Sequence, residues 1–223
     1  MAFVHQLEKE MGKPASEVTV AIGRDSRVTG PDLLRATADG VTRAGAHVLD
    51  FGMCTTPAMF MSIITPGFEP DGAIMLTASH HPWDRNGLKF FTERGGIESH
   101  DVEALLESAQ ALEPMSYPPS GRIEKKEFLP VYTEQLSQRI RKGLDTFDDK
   151  PLHGIHIAVD AGNGAGGFYA KMLESLGADI SGSQFLNPDG MFPNHIPNPE
   201  NPVAIASLRD AVLQSGADLG VIF

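Results

Sequence analysis

The stretch Gly72-Ala73-Ile74-Met75-Leu76-Thr77-Ala78-Ser79-His80-His81-Pro82-Trp83-Asp84-Arg85-Asn86-Gly87-Leu88-Lys89 decides how this chain is read. Its first five residues are apolar and follow a Pro-Asp-Gly turn, which is the pattern of a buried strand. A buried strand that runs straight into Ser, two His, Pro and Asn-Gly delivers polar chemistry to the end of a sheet. In open α/β sheets that is where ligands bind. The loop offers a hydroxyl nucleophile in Ser79, imidazoles in His80 and His81, and an amine in Lys89.

Upstream, Phe3, Val4, Leu7 and Met11 share one helical face, so the chain is expected to open inside a helix and to continue further upstream. Val18 to Gly23 reads as a strand ending in the polar turn Arg24-Asp25-Ser26-Arg27. Pro31 suits the first turn of a helix carrying Leu33, Leu34, Ala38 and Val41. His47 to Gly52 is a second strand, Pro57 to Ile64 a short helix, and the third strand carries the Ser79 loop. Ser99 is expected to cap a helix with Val102, Leu105, Leu106 and Ala109 inward. Strands alternating with helices predict an α/β protein with mixed or mostly parallel sheets.

Composition breaks between Pro114 and Gly121, which reads as a linker. This predicts two α/β domains, 1–125 and 126–223, the second incomplete. A helix over Phe128 to Leu144 is followed by a strand at Ile155 to Asp160, a Gly-rich turn, and a helix with Phe168, Met172, Leu173 and Leu176 inward. Ala178 to Phe185 reads as a further strand. Asn187 to Pro202 is too rich in proline for a regular element, Val203 to Gln214 reads as a helix, and Leu219 to Phe223 as a buried strand.

The 223 residues carry a net charge of −11 with no Lys/Arg cluster, which argues against nucleic acid and anionic membrane as partners. No apolar run approaches the roughly 20 residues that span a bilayer. Cys54 is the only cysteine, so neither an internal disulfide nor a Cys-rich zinc site is available. A reducing compartment, the cytoplasm, is expected; a plastid would require a lost transit peptide.

Several motifs compete for chemistry. A serine at a strand end is most often a turn residue, but His80 and Lys89 could serve it as base and cation. The loop lacks the Gly-x-Ser-x-Gly elbow and oxyanion-forming motif of a Ser/His hydrolase. Gly162-Asn163-Gly164-Ala165-Gly166-Gly167 fits a dinucleotide fingerprint, yet no acid closes the next strand, and a tight strand-to-helix turn is the favoured reading. His153 and His156 point to opposite faces if extended, which disfavours joint metal ligation. Arg24, Asp25 and Arg27 are expected to form an ion-paired turn that supports the Ser79 loop. His195 reads as structural, Met53, Met59, Met61 and Met75 as core, and Glu103, Glu107 and Glu113 as solvated surface.

Thr77-Ala78-Ser79-His80 with Pro82, then Asn86-Gly87-Leu88-Lys89, resembles the phosphoserine loop of the α-D-phosphohexomutases. Gly23-Arg24-Asp25-Ser26-Arg27, Val159 to Gly166, and Pro188-Asp189-Gly190 through Pro199 are similar to three further motifs of that family, in its order. His81 departs from the family's asparagine. The resemblance implies that Ser79 carries a phosphoryl group between the C1 and C6 oxygens of a hexose or hexosamine phosphate, through a hexose 1,6-bisphosphate. It implies Lys89 near the attacking sugar hydroxyl and His80 beside the phosphoserine, with Arg24, Asp25, Arg27, Asn86 and Gly87 in support. It also implies Mg²⁺ on the Ser79 phosphate, held by an Asp-x-Asp-x-Asp-Arg loop that this sequence does not contain. The resemblance therefore implies a truncated mutase, its first domain lacking the family's first strand and its second ending before that loop, and expected to be inactive alone. The alternative is a non-catalytic relative acting as a binding or regulatory partner, with a protein covering the cut sheet edge.

Overall fold

The computed structural model describes residues 1–112 and 118–223. The Pro114–Tyr117 part of the expected linker, and the surface assignment of Glu113, lie outside the described residues. The described chain groups into two units. The first comprises Met1–Arg24, Thr29–Thr77 and Gly87–Leu129; the second comprises Asp25–Val28, Ala78–Asn86 and Pro130–Phe223.

In the first unit, helix α1 (Ala2–Met11) precedes strand β1 (Thr19–Arg24), helix α2 (Gly30–Arg43), strand β2 (His47–Met53), helix α3 (Thr56–Ile63) and strand β3 (Gly72–Leu76). Strands β4 (Leu88–Thr92) and β5 (Gly95–Gly96), helix α4 (Ser99–Ala111) and strand β6 (Ile123–Lys125) follow. The sheet order is β5-β4-β3-β1-β2-β6. The four strands β3, β1, β2 and β6 are parallel, whereas β4 runs antiparallel to β3 and β5 antiparallel to β4. All five residues of β3 are buried, as a strand covered on both faces requires. Phe3, Val4 and Leu7 of α1 pack into one core with Val20, Ile22, Val48, Ile74 and Leu76. Burying each such side chain contributes about 1.5–3 kcal/mol.

Two expectations for α4 fail. Its N-cap is Glu98, not Ser99: Glu98 and Asp101 form a reciprocal capping box, and Ser99 is already helical. Of the stripe expected inward, Leu105 is buried but Leu106 is 57% exposed, so the apolar face is narrower than the sequence suggests. The antiparallel strand β4 is a further difference, because Lys89 stands on a strand rather than in the loop.

The second unit contains helix α5 (Leu129–Gly143), strand β7 (Ile157–Asp160), helix α6 (Phe168–Ser175), helix α7 (Pro202–Ser215) and strand β8 (Leu219–Ile222). Strands β7 and β8 pair in parallel. Leu152, Ile157, Val159, Ala170, Met172, Leu173 and Leu176 form its core. The strand expected over Ala178 to Phe185 is reduced to isolated bridges, His156 to Asp179 and Asp160 to Gln184. Gly182, at φ 81°, breaks the extended path between them. Nor is the terminal strand buried: Leu219 is 50% exposed and the rest of β8 is half-buried.

Candidate active site

The connection from β3 to β4 is closed at its base by Thr77 N–H, which donates to Gly87 O at 3.0 Å. Residues Ala78–Asn86 beyond that base belong to the second unit. They form two successive turns: His81 N–H donates to Ala78 O and Arg85 N–H to Pro82 O, both at 3.1 Å. Ser79 lies in the first turn, exposed, with φ 54°. A non-glycine residue in the left-handed region costs on the order of 1 kcal/mol and persists only where its surroundings hold it. His80 and His81 are exposed beside it.

Arg27 is what holds the loop. Its guanidinium donates to the carbonyl oxygens of Ser79 at 2.9 Å, His81 at 2.8 Å and Arg85 at 3.0 Å, and to that of Pro82. The remaining donor, Nε–H, reaches Asp25 Oδ2 at 3.0 Å, while the Arg27 backbone N–H reaches Oδ1. Arginine has five side-chain N–H donors, and all five have acceptors here. The Arg27 side chain is fully buried, so its charge requires this complete set of partners together with the Asp25 counter-charge. Arg27 thus meets the loop through its backbone carbonyls, and Ser79 remains an exposed residue. Arg24, Gly87 and Lys89 belong to the first unit: Arg24 ends β1, and Lys89 is exposed opposite Met75 in the β3–β4 register.

The second unit supplies a further layer. The Phe192 ring lies 5.1 Å from the Arg27 guanidinium carbon, and Gly190 bridges to Arg27 along the backbone. Asp160, at the end of β7, accepts from Gly162 N–H at 2.8 Å, Gln184 Nε2 at 2.8 Å and His195 Nε2. Asn163 donates to Asn187 O at 2.9 Å and accepts from Asn194 Nδ2 at 2.7 Å. The Gly-rich turn is therefore engaged with residues 187–195. Sequence reasoning placed Gly190 and Phe192 in the motif Pro188-Asp189-Gly190-x-Phe192-Pro193-Asn194-His195 but gave neither a role at the Ser79 loop. His153 is exposed, and His156 shares Ser181 through its Nε2 instead of meeting a second imidazole.

Residues 1–113 match the model of phosphoglucomutase/phosphomannomutase alpha/beta/alpha domain I, and residues 130–223 match that of domain II. The chain belongs to the phosphoglucomutase/phosphomannomutase family. It is 34% identical over 208 residues to a phosphomannomutase/phosphoglucomutase of Pseudomonas putida, covering 93% of this chain and 42% of that protein. It is 34% identical over 215 residues to an Escherichia coli phosphomannomutase, covering 92% and 45%. A Burkholderia thailandensis structure from the phosphoglucomutase/phosphomannomutase family superposes with TM-score 0.79 at 30% identity, over 100% of this chain and 46% of that one. The chain thus spans a little under half the length of these relatives.

The Mg²⁺ that the sequence resemblance implies would need several oxygen ligands in near-octahedral array. Among the described residues no group of three or more His, Cys, Asp or Glu side chains is placed to hold a metal ion. Among the described residues, the donor set does not fit Mg²⁺.

Proposed function

We propose that this chain provides the phosphoryl-carrying part of a phosphohexomutase, with Ser79 as the carrier. The observation behind this reading is the Arg27 anchorage, which ties down four carbonyls of the loop and leaves Ser79 exposed in a strained conformation. Phosphoryl transfer depends mainly on positioning and charge neutralisation, so an exposed serine on a fixed loop is the part such a reaction asks of a protein.

The Ser79 oxygen bonds to a phosphorus of a hexose 1,6-bisphosphate, the bond from phosphorus to the sugar oxygen breaks, and the serine proton ends on that oxygen. In the reverse direction a hydroxyl of a hexose phosphate attacks phosphoserine and its proton ends on the Ser79 oxygen. Alternating between C1 and C6 isomerises the sugar phosphate. Lys89 is assigned to the charge and proton at the attacking sugar hydroxyl, and His80 to contact with the substrate beside Ser79. Arg24, Asn86 and Gly87 keep supporting roles.

The test is incubation of the chain with glucose 1,6-bisphosphate, followed by intact mass and peptide mapping. A single phosphate on Ser79, absent from Ser79→Ala, is expected, with no isomerisation of the sugar phosphate by this chain alone. No adduct on the wild-type chain, or an equal adduct on Ser79→Ala, overturns the carrier role. Saturable hexose-phosphate binding without an adduct would favour the non-catalytic alternative.

A further inference from the structure

The Pro-rich segment 187–202 has no place in the chemistry above, yet it meets the residue that holds Ser79. A guanidinium hydrogen-bonds only through its edge. With all five N–H groups of Arg27 directed at Asp25 and the loop carbonyls, its two faces remain, and a buried cation needs those covered by a surface that tolerates charge. Phe192 covers one face. Gly190 runs beside the Arg27 backbone so closely that a Cβ there would lie 2.4 Å from Ser26 O and 2.5 Å from Val28 N. Backbone atoms cannot move aside as a flexible side chain would. Phe192 is itself left-handed, at φ 49°, and is kept so by its N–H to Asp189 O at 3.0 Å, while the Asp189 carboxylate receives Met191 N–H at 2.9 Å.

We infer that Phe192, seated by Gly190, is a positioning residue for Ser79 and acts through Arg27. Two left-handed residues, Ser79 on its edge and Phe192 over its face, meet one buried guanidinium, which couples them. The segment is in turn moored to the end of β7, through His195 on Asp160 and through Asn187, Asp189 and Asn194 on Asn163. A displacement of Phe192 removes the cover of Arg27, and a shifted Arg27 releases the Ser79, His81, Pro82 and Arg85 carbonyls together. Leucine in place of Phe192 would keep much of the apolar bulk but lose the ring face; tyrosine would keep the ring.

Trp83 is the only tryptophan, lies within the anchored loop and is 48% exposed, so its emission reports loop order whether or not Ser79 takes phosphate. In the full chain, Phe192→Leu is expected to red-shift Trp83 emission and increase its quenching by acrylamide while far-UV circular dichroism stays native. Phe192→Tyr is expected to match wild type. Wild-type quenching in a folded Phe192→Leu overturns the inference, as does a Phe192→Tyr variant that behaves like Phe192→Leu. Should Phe192→Leu unfold, hydrogen exchange on the wild-type chain in sub-denaturing urea decides the matter. Joint loss of protection in 78–86 and 188–195 supports the coupling, and protection of 78–86 that survives the opening of 188–195 overturns it. The consequence for chemistry rests on the function proposed above. Phe192→Leu should slow the maximal rate of Ser79 phosphorylation and leave the half-saturating bisphosphate concentration unchanged. The opposite split overturns the positioning role. A wild-type chain that takes no phosphate overturns the proposed function instead, and the Trp83 comparison still decides the coupling.

Discussion

Nε2 of His195 lies 3.0 and 3.1 Å from the two carboxylate oxygens of Asp160, and the side chains are only 1% and 0% exposed. His195 Nδ1 meets the backbone oxygen of Ile196 at 2.9 Å, so both ring nitrogens have partners. Removing one member of such a pair leaves the other buried without its partner, which typically costs about 3–5 kcal/mol. Asp160→Ala and His195→Ala should each lower stability by that order in urea denaturation. The double variant should lose clearly less than the two single losses added, because the pair acts as one unit. Strict additivity would show that the two side chains do not depend on each other.

Arg27→Lys should behave nearly as badly as Arg27→Ala. Lysine has three donors at a single point where arginine has five spread around a plane, so it cannot reach four carbonyls and Asp25 together. Faster hydrogen exchange across 78–86 in both variants is the expected reading. A lysine variant with wild-type protection would show that charge alone, without the fork, suffices.

Burial pushes the Cys54 thiol up to about 12 from its ordinary value of 9.0. The raised value belongs to the folded state, so between these limits the unfolded chain has released a proton that the native chain still binds. Stability must therefore fall as pH rises above about 9, by up to about 1.4 kcal/mol per pH unit from this group. The check is urea denaturation from neutral to alkaline pH, with wild type losing stability more steeply than Cys54→Ala over that window. Iodoacetamide should spare the thiol in native protein and modify it once the chain is unfolded.

Two phenylalanines give opposite expectations. Phe128 is fully buried, with ring centroids 5.5 Å from Phe51 and 4.8 Å from Phe68. Phe128→Ala should cost about 3–5 kcal/mol. Phe147 is 102% exposed, and Phe147→Ser should change stability by less than about 0.5 kcal/mol. Thermal or urea unfolding measures both; a large effect at Phe147 would mean that it packs against something in solution.

Strands β1, β2 and β3 were legible because their signal is local: each is a short apolar run between turns and folds where the pattern places it, whereas the parallel strand β6, exposed along its length, carried no such signal. The β4 strand was hidden because Leu88 and Lys89 are exposed, so its pairing with β3 rests on the chain doubling back rather than on an apolar run. Ser183 and Gln184 show another limit. Their polar side chains go to Val159 N–H, Asp160 and Ser207, contacts that no periodicity announces. At the candidate site, Ser79 and the Arg27 turn could be found from residue types. The dependence of one on the other could not, because it runs through main-chain carbonyls, which every sequence possesses. The contact that Phe192 makes was hidden for a related reason: the motif around it marks a segment, and the cation beneath the ring is seen only in the fold.

The noncontiguous makeup of the second unit bears on biosynthesis. Asp25–Val28 and Ala78–Asn86 leave the ribosome long before Gly190 and Phe192 do. At about 5–20 residues per second, the Ser79 turn waits several seconds or more for the residues that cover its anchor. Over that interval the nascent chain holds an arginine with a face still open to water and a serine not yet locked in its left-handed turn. Maturation of the loop is thus timed by the arrival of a segment more than a hundred residues downstream of Ser79.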